Sequence, residues 1–421
     1  MAWRKTSLST AVGVGLLIAS TQGQTMWYVD DDNCPGPGSG TQGDPFCKIQ
    51  DGIDTAEDTD TVLVSPGTYN ELVNFNGKAI TLKSTDGSDV TTIHGEGLSG
   101  TSVVTCSNGE GPDTVLQGFT ITGGEDSGMQ NIGSNPTVTR CSFLYSLGYV
   151  GGGMHNEESS PTVTDCTFAG NVADWGGGMD NQGESNPIIA NCIFAGNVAA
   201  FDGGGIDNLD SSPTVANSTF SGNWAADLGG GMQNWWDSYP TVTGCTFSGN
   251  VAGNGGGMGN TNGSSPAVTN CILWGNNDDS GDKESAQIYV DGAVPVVTYT
   301  LVEGLNTFSG GTGNIDGDPL FARNPDPGSD GQWDGVDDDY GNLHLQAGSP
   351  CVDAGDNSAV WGPTDLDGNP RIVMVQTAIV DLGAYEFQEG TPIPTVSEWG
   401  MVVMTLLVLT AGTLVRKKVS G

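Results

Sequence analysis

The sequence predicts an all-β fold: a right-handed parallel β-helix, with a short N-terminal capping helix and a C-terminal hydrophobic helix. Three observations predict it. First, a tandem repeat runs from Asn135 to Trp274, in register at Pro136, Pro161, Pro187, Pro213, Pro240 and Pro266, with steps of 25, 26, 26, 27 and 26 residues. A fixed period of this size belongs to a solenoid or array. Second, each unit is rich in Thr, Val, Ile and Phe and poor in Leu, Lys, Glu and Arg, which is strand chemistry. Third, the glycine triplets Gly151–Gly153, Gly176–Gly178, Gly203–Gly205, Gly229–Gly231 and Gly255–Gly257 would break a helix in every copy, which excludes helical repeats.

Within one unit, Val163 and Phe168 both read as interior residues, yet their parity differs. One straight strand cannot turn both inward. A bend at Asp165, and at the matching Asn191, Asn217, Gly244 and Asn270, resolves the conflict. The unit then reads as a strand around Val163, a bend, a strand around Cys166 and Phe168, a Gly-Asn turn, a loop, and a strand at Gly-Gly-Met. Three short strands stacked in parallel at about 4.8 Å make one coil.

Stacking places equivalent side chains in columns. Phe168, Phe194, Phe220 and Phe247 form an aromatic one, and Met154, Met179, Ile206, Met232 and Met258 an aliphatic one. Asn156, Asn181, Asn208, Asn234 and Asn260 are expected as a turn ladder of amides bonded along the stack. Cys141, Cys166, Cys192, Cys245 and Cys271 share one position, with Ser218 in the same column, and read as buried free thiols.

Taken in order, residues 1–23 open with Arg4 and Lys5, then the apolar run Ala11 to Ala19, the pattern of a secretory signal peptide cleaved near Gly23. Export permits disulfides, and Cys34 with Cys47 is the expected pair; Cys106 and Cys351 remain unassigned. In the cap, residues 24–60, Ile49, Ile53 and Ala56 share one helical face that would cover the edges of the first coil. The β-helix spans residues 61–305, with early strands at Thr61–Val64, Ala79–Leu82 and Val90–Ile93. Further coils and acidic loops occupy 306–388, and a linker, sorting motif and membrane segment occupy 389–421.

Composition narrows the partners. The 421 residues hold 50 Asp plus Glu against 12 Lys plus Arg, a formal charge of −38. Only Arg140 and Lys283 are basic between Ser84 and Ala322. Nucleic acid is excluded electrostatically. Polyanionic substrates would need bridging cations, so Ca2+ is the cofactor to consider.

Three constellations carry possible chemistry. Tyr149, Asp174, Trp175, Phe201, Asp202 and Asp227 precede the glycine triplets and would align as an aromatic and acidic stripe on one outer face. Ring faces stack on sugars and carboxylates accept hydroxyl donors or hold calcium, so a polysaccharide or cell-surface glycan is the partner indicated. The plain alternative is rings folded back to seal their loops. The second set is the column His155, Asp180, Asp207, Gln233. Stacked aspartates raise one another's pKa or recruit a cation, and their spacing approaches that of retaining glycosidases. Solvated polar residues at a strand end are the plain expectation there. The third set is Asp326, Asp330, Asp334, Asp337, Asp338, Asp339, Asp365 and Asp367, a calcium site or a solvated acidic loop.

The stretches DPFCKIQDGIDTA, DTVLVSPGTYNE and GKAITLKS resemble the opening of bacterial pectin-lyase-like right-handed β-helix proteins. GNLHLQAGSPCVDAGDN, TDLDGNPR and VDLGAYEF are similar to their closing segment, and the CTFSGN and GGGM repeats look like those of polymorphic outer-membrane adhesins. The resemblance covers about Trp27 to Phe387 and is specific for fold. It implies that an enzyme of this kind would need a basic residue and calcium-binding carboxylates. Arg140 is the only arginine in the core, so Asp180 and Asp207 with His155 or Arg140 form the catalytic alternative to a structural or adhesive role.

Ile393, Pro394, Thr395, Val396, Ser397, Glu398, Trp399 and Gly400 look like the IPTL-CTERM sorting signal, with Val396 where the pattern has Leu. Met401 to Val415 follow, then Arg416, Lys417 and Lys418. The apolar run would rise about 22 Å as a helix, short of the ~30 Å hydrocarbon core unless Trp399 and Gly400 join it. The basic end would stay cytoplasmic and leave the β-helix at the cell surface. Such a signal implies an exosortase-type membrane protease as a partner; the alternative is a plain membrane anchor.

Overall fold

A computed structural model describes residues 23–95, 101–329, 331, 333, 337–372 and 378–388. The predicted signal peptide, sorting motif and membrane segment lie outside the described residues. Three parallel sheets of eleven, ten and nine strands form the sides of one solenoid. In a central coil the strands are Thr162–Thr164, Thr167–Ala169 and Met179–Gln182, one per sheet. Each pairs in register with its equivalent one repeat later: Val163 with Ile189, Phe168 with Phe194, Met179 with Ile206.

The bend between the first two strands is where the parity argument requires it. Asp165, Asn191, Asn217, Gly244 and Asn270 all adopt left-handed φ between 47° and 60°. That conformation suits Asn, Asp and Gly. It rotates the chain so that Val163 and Phe168 both point inward, each fully buried. Arg140 holds the same place with φ 53°, its side chain exposed at the corner between the first and second sheets.

The core is built of the expected columns. Phe143, Phe168, Phe194, Phe220 and Phe247 stack with near-parallel rings, centroids 4.3–4.8 Å apart, a separation set by the strand spacing. The five cysteines of the shared column are buried free thiols, as are Cys106 and Cys351, whereas Cys34 and Cys47 are disulfide-bonded.

The asparagines differ from expectation in two ways. Asn156 and its equivalents lie inside the third-sheet strands rather than in a turn. Asn131, Asn156, Asn181, Asn208, Asn234 and Asn260 hand Nδ2–H to Oδ1 from coil to coil at 2.8–3.0 Å. A second ladder runs through Asn171, Asn197, Asn223, Asn250 and Asn276, the Gly-Asn turns of the sequence. Each of these also donates to a carbonyl of the preceding coil, as Asn197 does to Phe168 at 2.9 Å. Buried amides are satisfied this way only when every coil supplies one, which explains their invariance along the repeat.

Over the N-terminal coil lies a helix, Ile49–Thr55, with Ile49 and Ile53 buried. Residues 306–388 do not continue the coils, a correction to the sequence reading. Past Val302, the described residues contribute to the stack only an isolated bridge between Ile315 and Leu301. The segment instead forms an antiparallel pair, Phe321–Arg323 with Asn342–Leu345, and returns along the side of the solenoid as a strap. It is fastened at the bends: Asn217 Nδ2 donates to the carbonyl of Trp361 at 2.9 Å and Asn270 Nδ2 to that of Asp356 at 2.9 Å. The passing chain thus satisfies the Nδ2 groups of Asn217 and Asn270, whereas that of Asn191 donates to Asp165 of the neighbouring coil at 3.2 Å.

Candidate functional site

The loop before each glycine triplet is more ordered than a connecting loop. Val172–Trp175, Val198–Asp202 and Trp224–Ala225 pair as a fourth, three-stranded sheet, a flange standing off the solenoid. Ala199, Ala225 and Ala252, one from each successive coil, form a small buried cluster of methyl groups there.

On the flange the predicted stripe assembles. Trp175 and Phe201 stack with centroids 4.9 Å apart, and Tyr149 meets Trp175 edge-on at 5.2 Å. Tyr149 is 63% exposed and Phe201 41%. The rings neither fold back to seal their loops nor offer every face to a ligand. Trp175 and Phe201 cover one face of each other, which leaves edges outward. The ring column stops at Phe201, because the next coil carries exposed Asp227, and a surface depression lies there between Ala226, Asp227, Leu228, Gly253, Asn254, Asp279 and Ser280. Asp174 and Asp202 are half-buried. Burial, followed by the neighbouring Asp227 carboxylate, pushes Asp202 up to about 6.

The column His155, Asp180, Asp207, Gln233 is not solvated, against expectation. Asp180 is 1% exposed and Asp207 2%, although both point to the outer side of the third sheet. The covering element is the glycine turn. Gly176 and Gly203 take φ 63° and 68°, and a Cβ there would stand 2.7 Å from Asp180 Cβ and 2.6 Å from Asp207 Cβ. Only glycine lets the turn lie flat on the carboxylates.

Asp180 Oδ2 is held by His155 Nδ1 at 2.9 Å and Gln182 Nε2 at 2.8 Å. Burial drives Asp207 well above the usual carboxylate range, with repulsion from Asp180 and Asp202 adding to it. Its Oδ1, like that of Asp180, is buried without a hydrogen-bond partner. Arg140 sits at the opposite corner and does not join them, so the four catalytic candidates form no common site. Trp175, Phe201 and Asp180 do not share an open groove, because the glycine turn seals the carboxylate from the rings.

A group whose pKa is raised on folding gives stability that is complete below the unfolded value and is lost as pH rises through the folded one. Stability is therefore expected to fall as pH rises from about 4 through the raised values of Asp202 and Asp207. Asp207→Asn should cancel part of that loss, since its amide can donate toward Asp180. The expected gain is about 1–3 kcal/mol at pH 8, with little change at pH 4, read from urea unfolding at both pH values. An equal effect at both would refute the assignment.

The acidic C-terminal set does not converge. Asp337 Oδ2 accepts from the Ser329 amide at 2.8 Å, Asp339 pairs with Arg323 at 2.5 Å, and Asp367 meets His344 at 2.6 Å. Asp365 accepts the amides of Asp367 and Asn369, and Asp326 that of Gly328. Asp338 belongs to the same strap; Asp330 and Asp334 lie outside the described residues. Among the described residues, no three His, Cys, Asp or Glu side chains are placed to hold a metal ion.

The flange sheet, the strap and the glycine-turn burial escaped the sequence reading. A signal for the first was present: Val172-Ala173, Val198-Ala199 and Trp224-Ala225 repeat an apolar-small pair in every loop.

Comparison with known proteins agrees with this architecture. The family model described as a right-handed beta helix region matches residues 78–247, and the IPTL-CTERM motif matches 391–416. No curated protein sequence matches the chain. Among solved structures, the pectate lyase Pel9A is similar at 15% identity, covering 87% of this chain and 97% of that one with a TM-score of 0.50. A rhamnogalacturonan lyase follows at 14% identity, 69% and 84% coverage and TM-score 0.45. A pectin methylesterase from carrot gives 11% identity, 72% and 91% coverage and TM-score 0.36. At such identities the likeness to the lyase concerns fold alone. The coil geometry and the family model agree on a right-handed β-helix, similar in fold to a pectate lyase, and an IPTL-CTERM motif follows it in the sequence.

Proposed function

We propose that this protein is a structural or adhesive component of the cell surface that contacts glycan through its flange and does not cleave it. The terminal motif suggests export and surface association, and the proposed processing partner is an exosortase-type membrane protease acting on the tail. The observation that carries the reading is the division of the outer surface. The exposed groups are rings with hydroxyl-accepting carboxylates beside them, whereas the stacked aspartates that could do acid–base work are sealed under glycine turns. A catalytic carboxylate must reach its substrate within hydrogen-bonding distance.

The test is incubation of the protein with uronate and neutral polysaccharides in the presence of calcium, following both retention and chain length. Retention without shortening is expected, weakened tenfold or more by Trp175→Ala, about 1.4 kcal/mol or more. Shortening of any polymer that is lost in the Asp180→Ala/Asp207→Ala double variant would establish the lyase or hydrolase alternative instead.

A further inference from the structure

The flange also indicates which glycan it can take. Its outer side presents a second column, in which Val172, Val198 and Trp224 are register partners and Leu147 and Val251 extend the line by single bridges. Leu147 is 41% and Val172 39% exposed. This apolar line runs parallel to the ring stripe and climbs about 4.8 Å per coil, so it spans about 19 Å over its four steps. Val198, Trp224 and Val251 are half-buried, so the line is partly open along its length and most open at Leu147 and Val172, and such aligned apolar surface suits a binding face.

The charges beside it are of one sign. Asp174, Asp202, Asp227 and Asp279 border the flange and the depression. Of the two cations within these coils, Arg140 stands at the far corner and Lys283 is paired with Glu303 at 3.1 Å; of those the strap brings alongside, Arg323 is paired with Asp339 and Arg371 is buried at the Gly244 bend. Among the described residues, a uronate chain on the flange would meet carboxylates and no unpaired guanidinium or ammonium. A second copy of this chain would bring its own charge of −38 against the same face. An uncharged sugar chain has apolar C–H faces for the column and hydroxyls for the carboxylates.

We infer that the flange binds an uncharged polysaccharide laid along the solenoid axis, with the free face of Phe201 and the depression beyond it as its anchoring point, and rejects polyuronates. This deepens the glycan-contact reading and rests on it.

The experiment is calorimetric titration of the full chain with cello-, xylo- and manno-oligosaccharides and with oligogalacturonate, each with and without calcium. At least one uncharged ligand should bind, and Phe201→Ala and Trp224→Ala should each weaken it tenfold or more. Oligogalacturonate should give no heat in either condition. Binding of oligogalacturonate in preference to every uncharged ligand overturns this inference while leaving glycan contact standing, and so does neutral binding that both variants leave unchanged. If no saccharide binds, or the protein forms dimers that Phe201→Ala disperses, glycan contact itself fails.

Discussion

Phe194→Ala is expected to lower the unfolding free energy by about 3–5 kcal/mol, the usual range for emptying a buried phenylalanine site. Phe194 is fully buried, with Phe168 on one face and Phe220 on the other, each 4.8 Å away and within 4° of parallel. Collapse cannot heal the cavity, because strand register fixes the neighbouring rings at the coil spacing. Two ring contacts are lost along with the buried area, and each is worth about 0.5–1.5 kcal/mol. Position within the stack adds a second expectation. A solenoid's stability is approximately a sum of coils and their interfaces, so a break at a central coil should separate unfolding into two phases. Urea unfolding followed by tryptophan fluorescence measures both; a loss under 1 kcal/mol would mean the rings are not a continuous column.

Arg371→Ala is expected to cost about 3–5 kcal/mol, and to do so in the strap rather than the coils. Arg371 is 2% exposed, and its guanidinium donates from Nη1 to the carbonyl of Gly383 at 3.0 Å. It offsets two buried acids. Burial pushes Asp381 up to about 6; burial and then repulsion from Asp381 push Glu386 up to about 8. Both shifts are upward, so their contribution to stability is complete below the unfolded carboxylate pKa and is lost as pH rises through about 6 and 8. Arg371 limits that loss by favouring the charged forms. Its removal should therefore do more harm at pH 8 than at pH 5. Limited proteolysis at both pH values, read by where the chain is cut, is the measurement. Cuts confined to residues 306–388 and faster at pH 8 are expected; an unchanged digest, or one with the opposite pH trend, would refute the assignment. Arg371→Met, which keeps most of the volume, separates charge from packing.

Much of the scaffold could be read from residues alone, because a repeat imposes the same constraint at every copy. The parity conflict between Val163 and Phe168 located the bend. The shared column of Cys141, Cys166, Cys192, Cys245 and Cys271 announced an interior position. The candidate site was only half legible. That Tyr149, Trp175 and Phe201 line up followed from the period. How they meet did not, since an edge-on contact and a stacked one come from the same spacing. Asp180 and Asp207 show the limit best: alternation puts them on the outer side of a strand, yet both are buried. The turn that covers them begins four residues earlier in the chain, and its glycines read simply as helix breakers.

The sequence by itself determined the three core strands of each central coil, the columns that fill the core and the excess of negative charge, because these depend on period and composition. Tertiary structure decided which outward residues meet solvent, where the strap lies and which ring faces are free. Those outcomes depend on one segment folding back over another, and a one-dimensional period carries no information about what lies above a strand. A scaffold built from repetition is legible in its own repeat; the surface it presents is settled by the turns and the strap that fold over it.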